Sequence, residues 1–218
     1  MIDKSKILIA IASAGLSFSV VNAAEKDASE IAPEGKIQAD LGAAPEGVYV
    51  SDNGHAYISF SYDHQGYSKP ILRWRSWTSE LNWNPDEPEA STVSVEIDVA
   101  SIDSGVDKFD DHLKASDFFD VEKYSTITFV STAIERTGDT TGTITGDLTV
   151  KDITKPVVLD VVFNKAGAGR GEGTYKVGFS GKTTLKRSEF GVGNYVPFVG
   201  DNVVISIEVE YNLSLIHI

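Results

Sequence analysis

Apolar and polar side chains alternate strictly in the stretch Thr92-Val93-Ser94-Val95-Glu96-Ile97-Asp98-Val99. Because successive side chains of a β-strand point to opposite faces, this period of two predicts a strand with one buried face and one solvated face. The same period recurs over residues 157–163 and 203–209, and shorter apolar pairs continue it at residues 148–150 and 177–179. The pattern predicts a chain built mainly of half-buried strands.

Loop signals separate these strands at short intervals. Asp52-Asn53-Gly54 and Thr137-Gly138-Asp139 are typical turn sequences, and a glycine-rich segment covers residues 164–173. Short alternating strands with this spacing predict an all-β sandwich or barrel rather than βαβ units. An antiparallel barrel of about eight strands leaves an interior that is either filled by side chains or holds one small ligand. Residues 107–117 carry apolar side chains at roughly helical spacing instead and predict a short helical excursion.

The N-terminus has the pattern of a secretory signal peptide. Lys4 and Lys6 precede an apolar run that ends in Val21-Asn22-Ala23, where small residues suit a signal peptidase. A membrane anchor is the alternative, but it would need about 20 apolar residues. We therefore predict a cleaved signal peptide over residues 1–23 and a periplasmic location for the mature protein.

Two further segments are predicted to flank the folded domain of residues 46–212. Residues 24–45 are rich in Ala, Glu, Gly and Pro without periodicity, and they predict a flexible leader. Residues 213–218, Leu-Ser-Leu-Ile-His-Ile, match a translated sequencing adaptor. We interpret them as an artefact of an incomplete gene end, with a natural apolar tail as the alternative.

The composition argues against two classes of binding partner. The formal net charge is −13 at pH 7, and removal of residues 1–23, which contain Asp3, Lys4 and Lys6, makes it −14. Nucleic acids and anionic membrane surfaces attract basic patches, so we expect neither as a partner. The chain has no cysteine, which excludes disulfides and a lipid anchor on an N-terminal cysteine.

The sequence offers little that resembles a catalytic site. His55, His64 and His112 lie in different segments without close metal-ligand spacing, and we expect them to make structural hydrogen bonds, with a metal site as the alternative. Gly178-Phe179-Ser180-Gly181 lacks the spacing of a nucleophile elbow. The alternating glycines of residues 167–173 precede a strand rather than a helix, so they are not a phosphate-binding loop. We predict no catalytic residue, no bound metal and no cofactor.

Several motifs follow one another in a fixed order. They are Asp111-His112-Leu113-Lys114-Ala115-Ser116-Asp117-Phe118-Phe119-Asp120, Gly146-Asp147-Leu148-Thr149-Val150-Lys151-Asp152-Ile153-Thr154-Lys155-Pro156-Val157 and Lys186-Arg187-Ser188-Glu189-Phe190-Gly191. In these motifs, and over residues 47–212 as a whole, the chain resembles the YceI-like family of secreted, lipocalin-like barrels that bind polyisoprenoid lipids. Three positions depart from the family pattern, because Ser, Leu and Pro are more usual where this chain has Ala56, Gln65 and Ser125.

The resemblance implies an extended antiparallel, lipocalin-like barrel with a long apolar tunnel. It also implies an isoprenoid ligand, such as a polyprenyl phosphate or a quinone-like lipid, and a carrier or sequesterer rather than an enzyme. Two alternatives stay open. One is a lipid- or quinone-handling module of a redox or stress response that a membrane-protein partner loads, and the other is a metal-dependent hydrolase. The sequence makes no prediction of oligomeric state.

Eight phenylalanines are the predicted ligand-binding residues, with ordinary core packing as the alternative for each. Those expected to line the tunnel, because they lie on apolar strand faces, are Phe60, Phe129, Phe163 and Phe179. Those expected to close the barrel or its mouth are Phe118, Phe119, Phe190 and Phe198.

Overall fold

The computed structural model of the chain describes residues 40–214. The predicted signal peptide, residues 24–39 of the predicted leader and residues 215–218 of the predicted tail lie outside the described residues.

The described residues form ten strands and one α-helix. The elements, in chain order, are β1 (Gly47–His64), β2 (Ile71–Trp74), β3 (Trp77–Trp83), β4 (Thr92–Asp98), β5 (Ile102–Asp103), α1 (Asp107–Lys114), β6 (Thr126–Arg136), β7 (Thr141–Val150), β8 (Ile153–Ala168), β9 (Tyr175–Lys186) and β10 (Val199–Leu213). Short 3-10 turns lie at Leu41–Ala43, Pro88–Ala90, Val99–Ser101 and Arg187–Phe190. Within residues 40–214, no helix has the length and apolarity that crossing a membrane would require.

Eight of the ten strands form a closed antiparallel barrel. Neighbouring strands follow the order β10-β9-β8-β7-β6-β4-β3-β1, and the pairing of β1 with β10 closes the ring. The short strand β2 pairs with β1 beyond the part of β1 that pairs with β3, and β5 pairs with β2, so both extend the wall at one end. The predicted all-β, antiparallel, lipocalin-like barrel of about eight strands is confirmed.

The alternation of apolar and polar residues that predicts the strands also matches which side chains are buried and which are exposed. In β4, Val93 and Ile97 are buried and Val95 is half-buried, while the intervening Ser94 and Glu96 are exposed. In β3 the buried positions include Ser79, whose hydroxyl donates to the carbonyl oxygen of Ser94 at 2.8 Å. The inward positions of the strands therefore form an apolar interior. Its buried serines are hydrogen-bonded, whereas the indole N–H groups of Trp74 and Trp83 have no partner among the described residues.

The helical excursion predicted over residues 107–117 is confirmed as α1, which ends three residues earlier. Leu113 is the buried apolar residue of this helix. The helix stops because Ala115 adopts an extended backbone conformation. The Ala115 carbonyl then accepts hydrogen bonds from the N–H groups of Phe118 and Asp120 in the turns that follow.

The ends of the described chain pack on the barrel. Leu41–Ala43 form a 3-10 turn and Ala44 is fully buried, although both belong to the predicted flexible leader. At the other end, Leu213 completes β10, and the N–H of Ser214 donates to the Val48 carbonyl at 2.8 Å. The folded region thus includes residues on either side of the predicted limits of 46 and 212.

Asp110 gives a test of how α1 is attached. Its buried carboxylate accepts a hydrogen bond from the N–H of Ser104 at 2.8 Å, whereas the neighbouring Asp111 is exposed. Asp110→Ala leaves the N–H of the half-buried Ser104 without this partner, so we expect the free energy of unfolding to fall by about 1–3 kcal/mol in urea titrations. Asp111→Ala is the matched control, with an expected change below about 0.5 kcal/mol. Equal effects of the two substitutions would contradict this role for Asp110.

Candidate functional site

A large cavity of about 560 Å³ occupies the interior of the barrel at the end covered by α1. Inward-facing aliphatic side chains from many strands form its wall, among them Ile58, Leu72, Ile97, Ile127, Val157 and Ile205. Most of the polar residues that line it come from segments at the end of the barrel, namely His64, Gln65, His112, Arg187 and Asn194. The cavity is therefore an apolar chamber with its polar groups gathered at one end.

The entrance to the large cavity is marked by residues that line it and are also exposed. Phe198 is 78% exposed and Tyr195 is 58% exposed, and both contribute to the lining. Isolated apolar residues are common on protein surfaces, but these two aromatic side chains also belong to the lining of an apolar cavity, so they mark its opening to solvent.

A smaller cavity of about 140 Å³ lies in the other part of the barrel. Its wall includes Trp83, Phe163 and Phe179, which form an aromatic cluster. The rings of Trp83 and Phe163 are parallel with centroids 6.1 Å apart, and Phe179 meets each of them edge-on. Such offset and edge-on contacts are the favourable arrangements for aromatic pairs.

The hydroxyl of Tyr211 is a buried polar group of the small cavity. It hydrogen-bonds to the Ser79 hydroxyl at 2.8 Å, and burial raises the pKa of Tyr211 to about 12. Tyr211 is therefore neutral at physiological pH and adds no charge to the interior.

The structure divides the eight predicted phenylalanines between the two cavities. Those that line the large cavity are Phe60, Phe118, Phe119, Phe129, Phe190 and Phe198. Those that line the small cavity are Phe129, Phe163 and Phe179. Phe129 is the one phenylalanine common to both, and ligand contact by any of the eight stays a prediction.

Sequence reasoning missed Trp74, which is central to the large cavity. Its ring lies 4.6 Å from that of Phe60, between centroids, and 6.0 Å from that of Phe119. Buried and exposed positions alternate over residues 71–74, Ile-Leu-Arg-Trp, but the exposed Ile71 is itself apolar, so the hydropathy of the sequence does not alternate there. A run of only four residues gave too short a period to stand out from the adjoining loops.

His112 and Tyr195 were also missed as lining residues. His112 packs edge-on against Phe118 with ring centroids 4.9 Å apart, and Tyr195 lies 6.0 Å from Phe118. These contacts join α1 to the segment after β9, which are far apart in sequence. A local pattern could not have placed them together.

Arg187 organises the segment that borders the entrance. Its guanidinium donates hydrogen bonds to the carbonyl oxygens of Val192, Asn194, Val199 and Gly200. Burial lowers the pKa of Arg187, yet an arginine keeps its charge at any physiological pH. One side chain therefore holds four backbone positions and fixes the path of residues 192–200.

A polar cluster on the barrel has the composition of a metal site. Asp52, His55 and Glu210 offer ligand atoms within 4.8 Å of one another. However, the ammonium of Lys176 binds both carboxylates, at 3.0 Å from Asp52 and 2.7 Å from Glu210. His55 also hydrogen-bonds to Asp52, at 3.1 Å. The positive charge that these carboxylates need is thus supplied by the protein itself.

These geometric features can be set beside known proteins. The sequence profile of the YceI-like domain matches residues 49–211. The chain belongs to the YceI-like family. Among its YceI-like relatives, a UPF0312 protein of Pseudomonas syringae pv. syringae is 36% identical over 157 residues, which are 72% of this chain and 81% of the relative. A UPF0312 protein of Pseudomonas putida KT2440 is 35% identical over 156 residues.

Solved structures share the YceI-like fold. BcnA of Burkholderia cenocepacia has a TM-score of 0.67 and 27% identity, covering 73% of this chain and 98% of its own. The YCEI protein of Campylobacter jejuni has a TM-score of 0.64 and 28% identity, covering 70% of this chain and 90% of its own. A polyisoprenoid binding domain from Saccharophagus degradans has a TM-score of 0.56 at 11% identity, covering 78% of this chain and all of that one, and shows likeness of fold alone.

The hydrogen bonds of Arg187 predict a specific effect of a conservative substitution. Arg187→Lys replaces a planar donor fork with a single ammonium that cannot reach four carbonyls in the same geometry. We expect the free energy of unfolding to fall by about 1–3 kcal/mol and amide exchange to rise across residues 192–200. The control is Arg136→Lys, since Arg136 is exposed and makes one long hydrogen bond of 3.4 Å. Unchanged amide exchange across residues 192–200 in Arg187→Lys would refute the role of Arg187 in holding this segment.

The cluster around Lys176 predicts a pH-dependent contribution to stability. Hydrogen bonds from Lys176 and then His55 hold the pKa of Asp52 well below its usual range. A lowered carboxylate pKa stabilises the fold fully above the unfolded-state value of about 3.9, and the contribution decreases progressively as the pH falls from there towards the lower folded-state pKa. Lys176→Met should therefore lower the free energy of unfolding by about 0.2–1 kcal/mol at pH 7, with a smaller difference at pH 3. Urea titrations at both values measure this, and a pH-independent difference would contradict it.

Proposed function

We propose that the protein is a periplasmic carrier or sequesterer of a polyisoprenoid lipid, bound in the large cavity without catalysis. The observation that carries the proposal is the apolar chamber of about 560 Å³ inside a closed barrel, with an aromatic entrance. Ligand cavities that bury a small molecule fall in this size range, and apolar lining selects apolar ligands.

The energetics of the chamber suit a long hydrocarbon. Each buried CH₂ group contributes about 0.8 kcal/mol gross, so a few isoprene units suffice for tight binding without specific polar contacts. Ordering a flexible chain removes part of that gain. Discrimination should consequently be strongest for chain length and apolarity, and weaker for the head group.

Membership of the YceI-like family supports the ligand class. The domain from Saccharophagus degradans is described as polyisoprenoid binding, and it has the same barrel fold. The signal peptide predicted over residues 1–23 supports a periplasmic location, because such segments direct export.

We further propose that a membrane protein binds at the entrance of the cavity. Phe198 and Tyr195 remain exposed at the entrance. Exposed aromatic side chains beside a ligand opening suit a docking surface, so a membrane protein that loads or unloads a quinone-like lipid would contact this rim. In that case the barrel is one component of a lipid-handling system.

Extraction of the mature protein tests the proposed function. The protein is purified from a bacterial periplasm without detergent, extracted with organic solvent and analysed by mass spectrometry, and we expect a stoichiometric isoprenoid. Phe119→Asp places a charge in the cavity wall and should abolish the bound lipid, because burying an unpaired charge among apolar groups is costly. Its control is Tyr57→Asp, since Tyr57 is 51% exposed and lines neither cavity.

A folded, empty protein that takes up no added polyprenyl lipid would refute the carrier function while leaving the fold unaffected. Retention of lipid by Phe119→Asp at the wild-type level would place the ligand elsewhere. Circular dichroism of both variants establishes that the comparison is made between folded proteins.

A further inference from the structure

The two cavities lie in one barrel and are separated by a single layer of side chains. This layer, which we call the waist, consists of the residues that line both cavities, namely Ile58, Val95, Phe129, Leu159 and Ile207. They come from five different strands, β1, β4, β6, β8 and β10. The waist is therefore a cross-section of the barrel and not a feature of one strand.

Strand register explains why these side chains meet. Ile58 is directly opposite Ile207 across β1 and β10, and Val95 is directly opposite Phe129 across β4 and β6. Directly opposed residues of antiparallel strands point to the same face, so both pairs project into the barrel. Phe129 is the one aromatic residue of the waist, and at 7% exposure its ring is buried there.

A glycine on the neighbouring strand leaves the space that the Phe129 ring occupies. Gly146 of β7 is directly opposite Val157, which lines the large cavity, so position 146 faces inward. A Cβ atom at position 146 would lie 2.7 Å from Cε2 of Phe129 and still closer to Cζ. The ring thus occupies the volume that any other residue at this inward position would fill with its own side chain.

We infer that Phe129, seated over Gly146, is the stop that sets how long a lipid chain the large cavity accepts. The inference rests on the proposed function and identifies its length-determining residue. From His64 at the mouth to Ile58 in the waist, β1 advances six residues, roughly 20 Å of strand at about 3.4 Å per residue. A chain that enters at the mouth ends against the Phe129 ring, and the space of about 140 Å³ beyond the waist is closed to it.

Removing the ring should join the two cavities. The experiment compares the affinities of geranylgeraniol and solanesol, prenyl alcohols of four and nine isoprene units, for the wild type, Phe129→Ala and Phe60→Ala. The last variant is the matched control, because Phe60 is equally buried and lines the large cavity only. We expect Phe129→Ala to raise the affinity for solanesol relative to geranylgeraniol by at least about tenfold, since one further buried isoprene unit suffices for that factor.

Phe60→Ala should leave this affinity ratio within about threefold of the wild-type value, because it widens the large cavity without opening a path to the small cavity. If Phe129→Ala fails to fold, Phe129→Leu replaces it, with a change in the same direction. An unchanged ratio in the folded Phe129 variant, or an equal change in Phe60→Ala, would overturn the inference.

A second measurement separates this inference from the proposed function. If the wild type binds neither prenyl alcohol, the ligand class is wrong, and the waist is then tested with crystals pressurised with xenon, which enters apolar cavities irrespective of ligand class. Separate xenon sites on either side of Phe129 in the wild type, merging in Phe129→Ala, support the stop. Xenon density that is continuous past the Phe129 ring in the wild type refutes it.

Discussion

The pairing of β1 with β10 is the constraint on which the rest of the structure depends. It runs from Tyr49 opposite Leu213 to His64 opposite Val199 and joins the first strand of the sheet to the last. Without it the sheet would be open, with two long edges whose N–H and C=O groups lack partners. With it, the inward side chains of eight strands face a common interior that contains both cavities, and the larger cavity is the candidate site.

Closure also separates two electrostatic environments. The acidic charge of the chain and the cluster of Asp52, Lys176 and Glu210 contact water, where ion pairs are screened and contribute modestly. The interior contains neutral hydroxyls such as that of Tyr211, and the guanidinium of Arg187 lies at the mouth, where it donates hydrogen bonds to four carbonyl oxygens. An apolar ligand therefore meets no unpaired charge along its path, as far as residues 40–214 are concerned.

Much of the fold could be predicted from the sequence, because side-chain alternation is a local consequence of strand geometry. Residues 92–99 have the predicted burial, and residues 107–117 contain the predicted helix. The phenylalanines on strand faces do point into the barrel, because period two determines the face of a strand. Their distribution between two cavities could not be predicted, since it depends on register across strands that are distant in sequence.

Most of the missed features are non-local. The sequence does not reveal why position 146 is a glycine, because the reason is the Phe129 ring on the adjacent strand. Trp74 was hidden by the shortness of β2, and the partners of Arg187 are backbone atoms, which leave no trace in residue types. The periodicity of the sequence predicts which strand faces are apolar, but the geometry of the site depends on packing and backbone hydrogen bonds between distant segments.

The way Arg187 holds the entrance has an evolutionary consequence. Its four partners are main-chain carbonyls, which every amino acid possesses, so these four hydrogen bonds do not depend on which side chains residues 192–200 carry. Substitutions at exposed positions such as Tyr195 and Phe198 can alter the chemistry of the rim while its architecture persists. The exposed side chains that a ligand or a partner meets at the entrance can therefore change one at a time without loss of the four hydrogen bonds from Arg187.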